Sequence, residues 1–301
     1  MYNPAMSKAP VLVSTLLSHA HLEMGLACLG SLLAGSAEPL RLRVHDDGSL
    51  SAEDLDRLAA GLQEPEVIPR ATADERMADL LANRPASRAF RRENPLALKL
   101  LDVPLLADAG GLAYCDSDVL FLRPFSGLYT WPGPKVGAVA MADDQNAYSL
   151  RSWQLLLDRR LRLPCRVNTG ILYFRMTLYD LDLVEWFLSR PEYRRTSVWV
   201  EQTCWALLAG TAECRLLDSR QVLIPRQGGE PPSGAVALHF VSSVRHLLEP
   251  LLRQRGGLMS GPFLEIATVA ARRCGFLGLA GAEAARRLRR AIEGRQGRPE
   301  I

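Results

Sequence analysis

The chain has 301 residues, of which 48% are hydrophobic and 23% charged, and its formal net charge is +3. These values exclude an intrinsically disordered chain and indicate a globular protein with a sizeable core. So small a net charge gives no reason to expect nucleic acid as a partner. The six cysteines show no Cys-x-x-Cys spacing, which favours reduced thiols in a cytoplasmic protein over a disulfide framework or a zinc site. No segment is apolar for long enough to cross a bilayer.

The first part of the chain alternates between predicted strands and predicted helices. Strands are expected at residues 11–17, 40–45 and 66–68. Between them lie a helix at about 22–33 and a second one, capped by Ser49 or Ser51, that runs to about Gly61. This alternation is typical of βαβ units, so we expect an α/β fold with a mixed, mainly parallel sheet flanked by helices.

The rest of the chain continues this pattern and then changes character. Residues 74–102 are expected to be mostly helical, and further helices are expected at 181–188 and 201–208. Strands are expected at 112–115, 136–140, 170–174 and 236–241. From about residue 246 onward arginine dominates. We therefore predict one α/β domain over residues 1–245 and a basic, helical C-terminal extension over residues 246–301.

An Asp-x-Asp motif, Asp116 and Asp118, lies inside an apolar, β-prone run. Two carboxylates two residues apart in an extended chain project from the same face. Burying them is costly without a cation or strong hydrogen-bond donors. A divalent metal that holds a phosphate-bearing substrate would satisfy both carboxylates. The motif also follows a predicted strand, and ligands of open α/β sheets bind outside the carboxyl ends of strands. The alternative interpretation is two solvated turn residues between short strands.

Further polar residues stand in apolar surroundings. Asn168 and Thr169 precede an apolar strand, Glu201 and Gln202 open an apolar helix, and His239 interrupts an apolar strand. Each also has a purely structural explanation: a turn, a first-turn partner of the helix dipole, and a hydrogen-bonded core histidine.

The order of these motifs resembles that of the GT-A glycosyltransferases, most closely glycosyltransferase family 8, over residues 11 to 245. The resemblance implies a GT-A, Rossmann-like fold in which residues 1–245 form the catalytic domain. It also implies a metal-dependent hexosyltransferase that moves a sugar from a nucleotide sugar, a UDP-hexose in our expectation, with retention of configuration. The acceptor is left open between a glycan, a lipid-linked acceptor and a protein.

The resemblance also implies roles at the centre of the site. Asp116 and Asp118 match the family's metal-binding pair and His239 its third ligand, a set that suits Mn²⁺, with Mg²⁺ as the alternative. The metal pair would act in catalysis by stabilising the leaving group. Gln202 would lie near the anomeric carbon, where its amide positions and polarises. Glu201 would bind donor hydroxyls, with a role as nucleophile left open.

Other residues match donor-binding positions of the family. Lys99 is expected to contact the donor, and Arg245 stands where the family has a phosphate-binding lysine. Asn168 and Thr169 resemble an Asn-Ser pair that faces the sugar.

The opening strand and the loops near it supply the last candidates. Thr15 belongs to the opening of the family pattern, and His21 stands at the place of a tyrosine that stacks on uracil. Asp46 is expected either to contact the ribose or base or to cap a tight turn.

Two other functions remain open. One is a non-catalytic sugar-nucleotide-binding or scaffolding protein with a degenerate site, because His21 and Arg245 depart from the family pattern. The other is a nucleotidyltransferase, although the early glycine-rich, basic loop of those enzymes is missing here.

The arginine-rich tail has two interpretations. It is either a solvated helix face or a surface that contacts the inner face of a membrane, with Leu277, Leu279 and Leu288 entering the interface. The expected location is accordingly the cytoplasm, with peripheral membrane contact as the second interpretation.

Overall fold

The computed structural model describes residues 9–108, 110–194, 197–254 and 261–295. Its strands are β1 (Val11–Leu17), β2 (Leu40–Asp46), β3 (Glu66–Ile68), β4 (Gly111–Cys115), β5 (Val119–Phe121), β6 (Phe125–Ser126), β7 (Val136–Ala142), β8 (Val167–Arg175), β9 (Glu213–Leu217), β10 (Val222–Leu223), β11 (Ala237–His239), β12 (Leu264–Glu265) and β13 (Thr268–Ala270). Its helices are α1 (Leu22–Gly35), α2 (Ala52–Gly61), α3 (Arg70–Leu80), α4 (Pro85–Glu93), α5 (Ala97–Leu100), α6 (Asp102–Leu105), α7 (Gln154–Leu157), α8 (Leu181–Leu188), α9 (Val200–Ala209), α10 (Leu248–Gln254) and α11 (Phe276–Arg295).

Eight strands form one sheet in the order β13-β9-β7-β8-β4-β1-β2-β3. The pairs β3–β2, β2–β1, β1–β4 and β7–β9 are parallel, and β4–β8, β8–β7 and β9–β13 are antiparallel. A second sheet joins β10, β11 and β5. The predicted mixed, mainly parallel sheet flanked by helices is therefore confirmed.

Helices cover the central sheet on both faces. Successive residues of β4 alternate between two buried clusters: Leu112 and Tyr114 pack in one, Ala113 and Cys115 in the other. A strand that is apolar on both faces has to be covered on both faces, which explains why β4 reads as a continuous apolar run rather than an alternating one.

The cap of α2 shows how local sequence sets one of these elements. Ser51 Oγ accepts a hydrogen bond from Asp54 N at 3.2 Å, and Asp54 Oδ2 accepts one from Ser51 N at 2.8 Å. This reciprocal capping box selects Ser51, one of the two predicted caps.

The segment after Arg245 contains strands as well as the predicted helices. β13 pairs with β9 at the edge of the central sheet, and β12 pairs with β6. Leu277 and Leu288 are 81% and 64% exposed, but Leu279 is fully buried in the protein core. The expectation that Leu279 enters a membrane interface is therefore wrong. The domain boundary at 245 and membrane contact by this segment stay predictions, and residues 296–301 lie outside the described part.

Two expectations concern the whole chain. All six cysteines are free in the structure, and their reduced state stays a prediction. Within the described residues, no helix combines the length and apolar character needed to span a membrane.

Candidate functional site

Asp116 and Asp118 lie in the turn between β4 and β5, closed by a hydrogen bond from Val119 N to Asp116 O at 3.3 Å. The expectation that they share a face of an extended strand is wrong. The turn is nevertheless not solvated, because Asp118 is only 7% exposed and the Asp116 side chain 24%. The pair therefore occupies a buried turn directly beyond the carboxyl end of β4, where the sequence predicts a ligand site, and the alternative of a solvated turn is wrong.

The pairing of β11 with β5 brings His239 to this turn. His239 lies opposite Val119 in the antiparallel pair, and Phe240 N donates to Asp118 O at 2.9 Å. His239 Nε2 then lies 3.1 Å from Asp118 Oδ1 and 3.5 Å from Asp116 Oδ2. The predicted three-residue cluster is thus assembled, with all its candidate ligand atoms within 4.8 Å of one another.

Asn168 orients the His239 ring. Its Oδ1 accepts hydrogen bonds from His239 Nδ1 at 3.1 Å and from Gly170 N at 2.8 Å, and its Nδ2 donates to Asp143 Oδ2 at 3.1 Å. An amide oxygen only accepts, so Nδ1 carries the proton and Nε2 faces the carboxylates. Asn168 and Thr169 lie inside β8 and not in a turn before it, which corrects the expected strand start at Gly170.

The donor set of this cluster fits a divalent cation. Asp118 Oδ1 is buried and, apart from His239 Nε2 at 3.1 Å, has no hydrogen-bond partner among the described residues. Burial acts to raise the pKa of Asp118, but His239 and Arg245 hold that pKa at about 2. Burial acts to lower the pKa of His239, but Asp118 and Asp116 outweigh it and raise that pKa above its usual value. Two carboxylates and one imidazole are a ligand set for Mn²⁺ or Mg²⁺.

Lys99, on α5, ties the cluster to a second buried carboxylate. Its Nζ donates to both oxygens of Asp116 at 2.9 Å and lies 3.9 Å from Glu201 Oε1. Glu201 lies in the first turn of α9, and its Oε2 accepts a hydrogen bond from Thr169 Oγ1 at 3.2 Å. Burial raises the pKa of Glu201 to about 7, although the Lys99 charge opposes this. Tyr114, which the sequence did not identify, donates to Asp116 Oδ1 at 2.8 Å; its only signal is a position two residues before Asp116 on β4.

Arg245 reaches the cluster from the 3₁₀ turn Ser242–Leu247. Its Nη2 donates to Asp118 Oδ2 at 2.9 Å, and its Nη1 lies 3.0 Å from His21 Nε2. His21 Nδ1 in turn lies 3.0 Å from Ser18 Oγ. The loop after β1 and the turn after β11 therefore meet at the edge of the cluster.

Of the remaining candidates, Asp46 and Gln202 make structural hydrogen bonds, whereas Thr15 does not. Thr15 is fully buried, and its Oγ1 has no hydrogen-bond partner in the described chain. Asp46 Oδ1 closes a turn by accepting from Gly48 N at 2.8 Å and Leu50 N at 3.2 Å, as the structural alternative expects. Gln202 Nε2 donates to Ala147 O at 2.9 Å. Roles of these three residues toward a substrate stay predictions.

No protein-family model and no curated protein matches this chain. Solved structures that match include a galactosyltransferase, LgtC, in complex with donor and acceptor sugar analogues, 15% identical over 84% of this chain and 98% of that one, with a TM-score of 0.48. Core-mannan synthase A from Aspergillus fumigatus in its Mn/GDP form is 8% identical, with 69% and 72% covered and a TM-score of 0.45. The apo-form glycosyltransferase GlyE of Streptococcus pneumoniae TIGR4 is 12% identical, with 78% and 55% covered and a TM-score of 0.47. Likenesses of this degree assign no activity to this chain.

Proposed function

We propose that this protein is a metal-dependent glycosyltransferase of the GT-A kind, similar to family 8. It would transfer a sugar from a nucleotide sugar, a UDP-hexose, to an acceptor with retention of configuration. The single observation that carries the proposal is the buried cluster of Asp116, Asp118 and His239 beyond the carboxyl end of β4. The order of the motifs that contain these residues along the chain resembles that of the family.

The cations beside this cluster suit a diphosphate. A Mn²⁺ or Mg²⁺ ion bound there would neutralise the negative charge that develops on the departing nucleoside diphosphate. Lys99 is 4% exposed and fixed by Asp116, so it contributes a positive charge that water does not screen. Arg245 has a side chain that is 37% exposed, and its planar guanidinium can bind a phosphate through two parallel hydrogen bonds.

Two polar residues remain for the sugar. Glu201 Oε1 is buried and has no hydrogen-bond partner within the described residues, so it is an available acceptor for a sugar hydroxyl. Gln202 follows it on α9 and cannot ionise, which makes a covalent intermediate on Gln202 chemically unattractive. Its role is to position and polarise.

The transfer step that these groups support needs no side chain as a base. The bond between the anomeric carbon and the phosphate oxygen breaks, and its electron pair leaves with the nucleoside diphosphate. The acceptor hydroxyl oxygen forms the new bond to the anomeric carbon from the same face. Its proton passes to an oxygen of the departing phosphate. Lys99 and Arg245 stabilise the negative charge that this departure creates.

The test is release of nucleoside diphosphate from a panel of UDP-, GDP- and ADP-sugars by the purified protein, with Mn²⁺, with Mg²⁺ and with EDTA. Asp118→Asn removes one charge from the cluster, and Asp56→Asn makes the same chemical change at an exposed position of α2. We expect metal-dependent release from one donor, lost in the Asp118 variant and kept in the Asp56 variant. Binding of a nucleotide sugar without release would favour the non-catalytic alternative, and neither binding nor release would refute the proposal.

A further inference from the structure

Cys165, between α7 and β8, differs from the other five cysteines of the chain in being only half-buried. In four of those five, burial raises the pKa of the thiol, which keeps it protonated and unreactive. These four are Cys28, Cys115, Cys204 and Cys214. Cys165 is therefore the thiol that a reagent in solution reaches first.

A short antiparallel bridge brings the remaining cysteine, Cys274, to Cys165. Cys165 N donates to Arg272 O at 2.6 Å, and Cys274 N donates to Leu163 O at 2.7 Å. The residue between the two hydrogen bonds in each segment forms the paired position of the bridge. Alternate residues of paired segments share a face, so Cys165 and Cys274 are diagonal neighbours on one face of the bridge.

The two thiols are in contact and differ in acidity. Cys274 donates a hydrogen bond to the Cys165 sulfur, which lowers the pKa of Cys165 to about 7 although burial opposes the shift. The positive charges of Arg166 and Arg272 lower the same pKa further. The shared hydrogen bond raises the pKa of Cys274, and burial adds to this rise. An accessible thiolate beside a protonated second thiol is the arrangement of an attacking and a resolving cysteine.

The pair joins two segments that lie more than a hundred residues apart in the chain and are otherwise linked by hydrogen bonds. Arg166, the residue after Cys165, donates from its backbone N to Asn146 Oδ1 at 2.8 Å. Cys274 leads into α11, where Gly278 O accepts from Asn146 Nδ2 at 3.0 Å. A covalent bond between the cysteines would therefore fix α11 to the start of β8.

We propose that Cys165 and Cys274 are a redox-active pair that hydrogen peroxide converts into a disulfide, which fastens α11 to the start of β8. The Cys165 thiolate attacks one peroxide oxygen, so that an S–O bond forms, the O–O bond breaks, and the other oxygen leaves as hydroxide and takes up a proton. The Cys274 sulfur then attacks the Cys165 sulfur. The S–S bond forms, the S–O bond breaks, and the oxygen leaves as water with the Cys274 proton.

This reaction oxidises two thiols by two electrons and reduces one peroxide to two molecules of water. A dithiol reductant reverses it by exchange. The inference does not depend on the proposed function, because it uses no residue of the metal cluster and no sugar substrate.

The experiment treats the full-length protein with hydrogen peroxide, counts thiols after denaturation and locates cross-linked tryptic peptides by mass spectrometry. We expect two of the six thiols to be lost, one disulfide to join Cys165 to Cys274, and dithiothreitol to restore both thiols. Cys165→Ala should lose no thiol under the same treatment. Cys274→Ala should stop at the sulfenic acid of Cys165, which dimedone labels.

Cys214→Ala is the matched control. Cys214 O accepts a hydrogen bond from Ala271 N at 3.0 Å, so this cysteine also lies beside the segment that carries Cys274. It is buried, and burial raises its pKa to about 12. The Cys214 variant should form the same disulfide as the original protein.

Thermal unfolding measures whether the bond fastens the segment. Closing a loop of this length should raise Tm by roughly 5 °C or more. Peroxide also oxidises methionine, so the Cys165→Ala variant after the same treatment is the reference for this shift.

Three results would each overturn the proposal: no loss of thiols, oxidation of Cys165 to the sulfinic acid without a cross-link, or a disulfide that joins other cysteines or two molecules. A cross-link between Cys165 and Cys274 with an unchanged Tm would overturn its role in fastening α11. The peptide map of the original protein decides the cross-link without any variant, so a variant that fails to fold leaves the test intact.

Discussion

Gly170 is the position where one added methyl group should do the most damage to the candidate metal site. It lies in β8 without a positive φ, so the backbone itself would accept alanine. A Cβ there would lie 2.3 Å from His239 Cε1, 2.4 Å from His239 Nδ1 and 3.0 Å from Asn168 Oδ1. These distances are shorter than non-bonded contacts allow, so the imidazole or the strand has to move.

The cost of Gly170→Ala follows from what it displaces. Overpacking of a buried position costs about 1–3 kcal/mol. Loss of the hydrogen bond between His239 Nδ1 and Asn168 adds about 1 kcal/mol. We therefore expect the free energy of unfolding to fall by about 2–4 kcal/mol. Metal affinity should fall by about 10–100-fold, as it does when the support of a ligating histidine is lost.

Urea unfolding in EDTA measures the stability part without any metal. The informative comparison is Gly170→Ala, His239→Ala and the double variant, because alanine at 239 removes both ring atoms that the new Cβ would meet. The double variant should be more stable than the sum of the two losses predicts, by about 1–3 kcal/mol. Gly30→Ala in α1, where a Cβ meets no atom within 4 Å, is the control and should stabilise by about 0.5–1 kcal/mol.

Two results would contradict this reasoning in different ways. Unchanged stability of Gly170→Ala with no coupling to His239→Ala would mean that the imidazole does not pack against Gly170. A loss of stability with unchanged Mn²⁺ affinity, measured by calorimetry, would mean that the ring is placed as described but does not ligate the metal.

Three further predictions concern single side chains. Because burial raises the pKa of Glu201 to about 7, the stability that its protonated form contributes is fully present below about pH 4.5 and is lost as the pH rises through 7. In EDTA, Glu201→Gln should remove up to about 3 kcal/mol of the stability difference between pH 5 and pH 8; parallel pH curves for both proteins would refute this. Tyr114→Phe removes the hydroxyl that donates to Asp116 without changing the packing, so Mn²⁺ affinity should fall about tenfold or more. Tyr148 is equally buried, but its hydroxyl donates to Pro164 O, so Tyr148→Phe should leave Mn²⁺ affinity unchanged. Equal effects of the two substitutions would count against a role of the Tyr114 hydroxyl. Ser51→Ala removes the cap of α2 and should cost about 1 kcal/mol in thermal or urea unfolding, and no change would mean that the cap is not formed in solution.

The elements set by local sequence were predictable. β1 (Val11–Leu17), β3 (Glu66–Ile68) and α8 (Leu181–Leu188) have the limits that the sequence predicts. In each, an apolar run is bounded by residues that end or cap it, such as Pro69 after β3. The sheet class followed from the same alternation of strand and helix.

The geometry of the metal cluster was not predictable in this way, because it depends on pairing between distant segments. β5 has only three residues and is held by β11, more than a hundred positions later in the chain. Without that pairing, nothing in the local sequence shows that Asp116 and Asp118 occupy a buried turn. Similarly, Asn168 is tolerated inside β8 because Asp143 and His239 satisfy its amide, which a sequence window does not contain.

The charges of the assembled site lead to a final prediction about donor binding. Asp116, Asp118 and Glu201 contribute −1 each when ionised, and Lys99 and Arg245 contribute +1 each, so the sum is −1 with a neutral His239 and zero with a protonated His239. These residues alone therefore do not attract a nucleoside diphosphate. A divalent cation changes the sum by +2, whereas Lys99→Met or Arg245→Met changes it by −1. In a site this buried, we expect removal of the metal to weaken UDP binding more than either substitution does. Calorimetric titration of UDP in the presence of Mn²⁺ and in the presence of EDTA measures this order directly. If the original protein in EDTA bound UDP more tightly than either variant does with Mn²⁺, the two cationic side chains, and not the metal site, would hold the diphosphate.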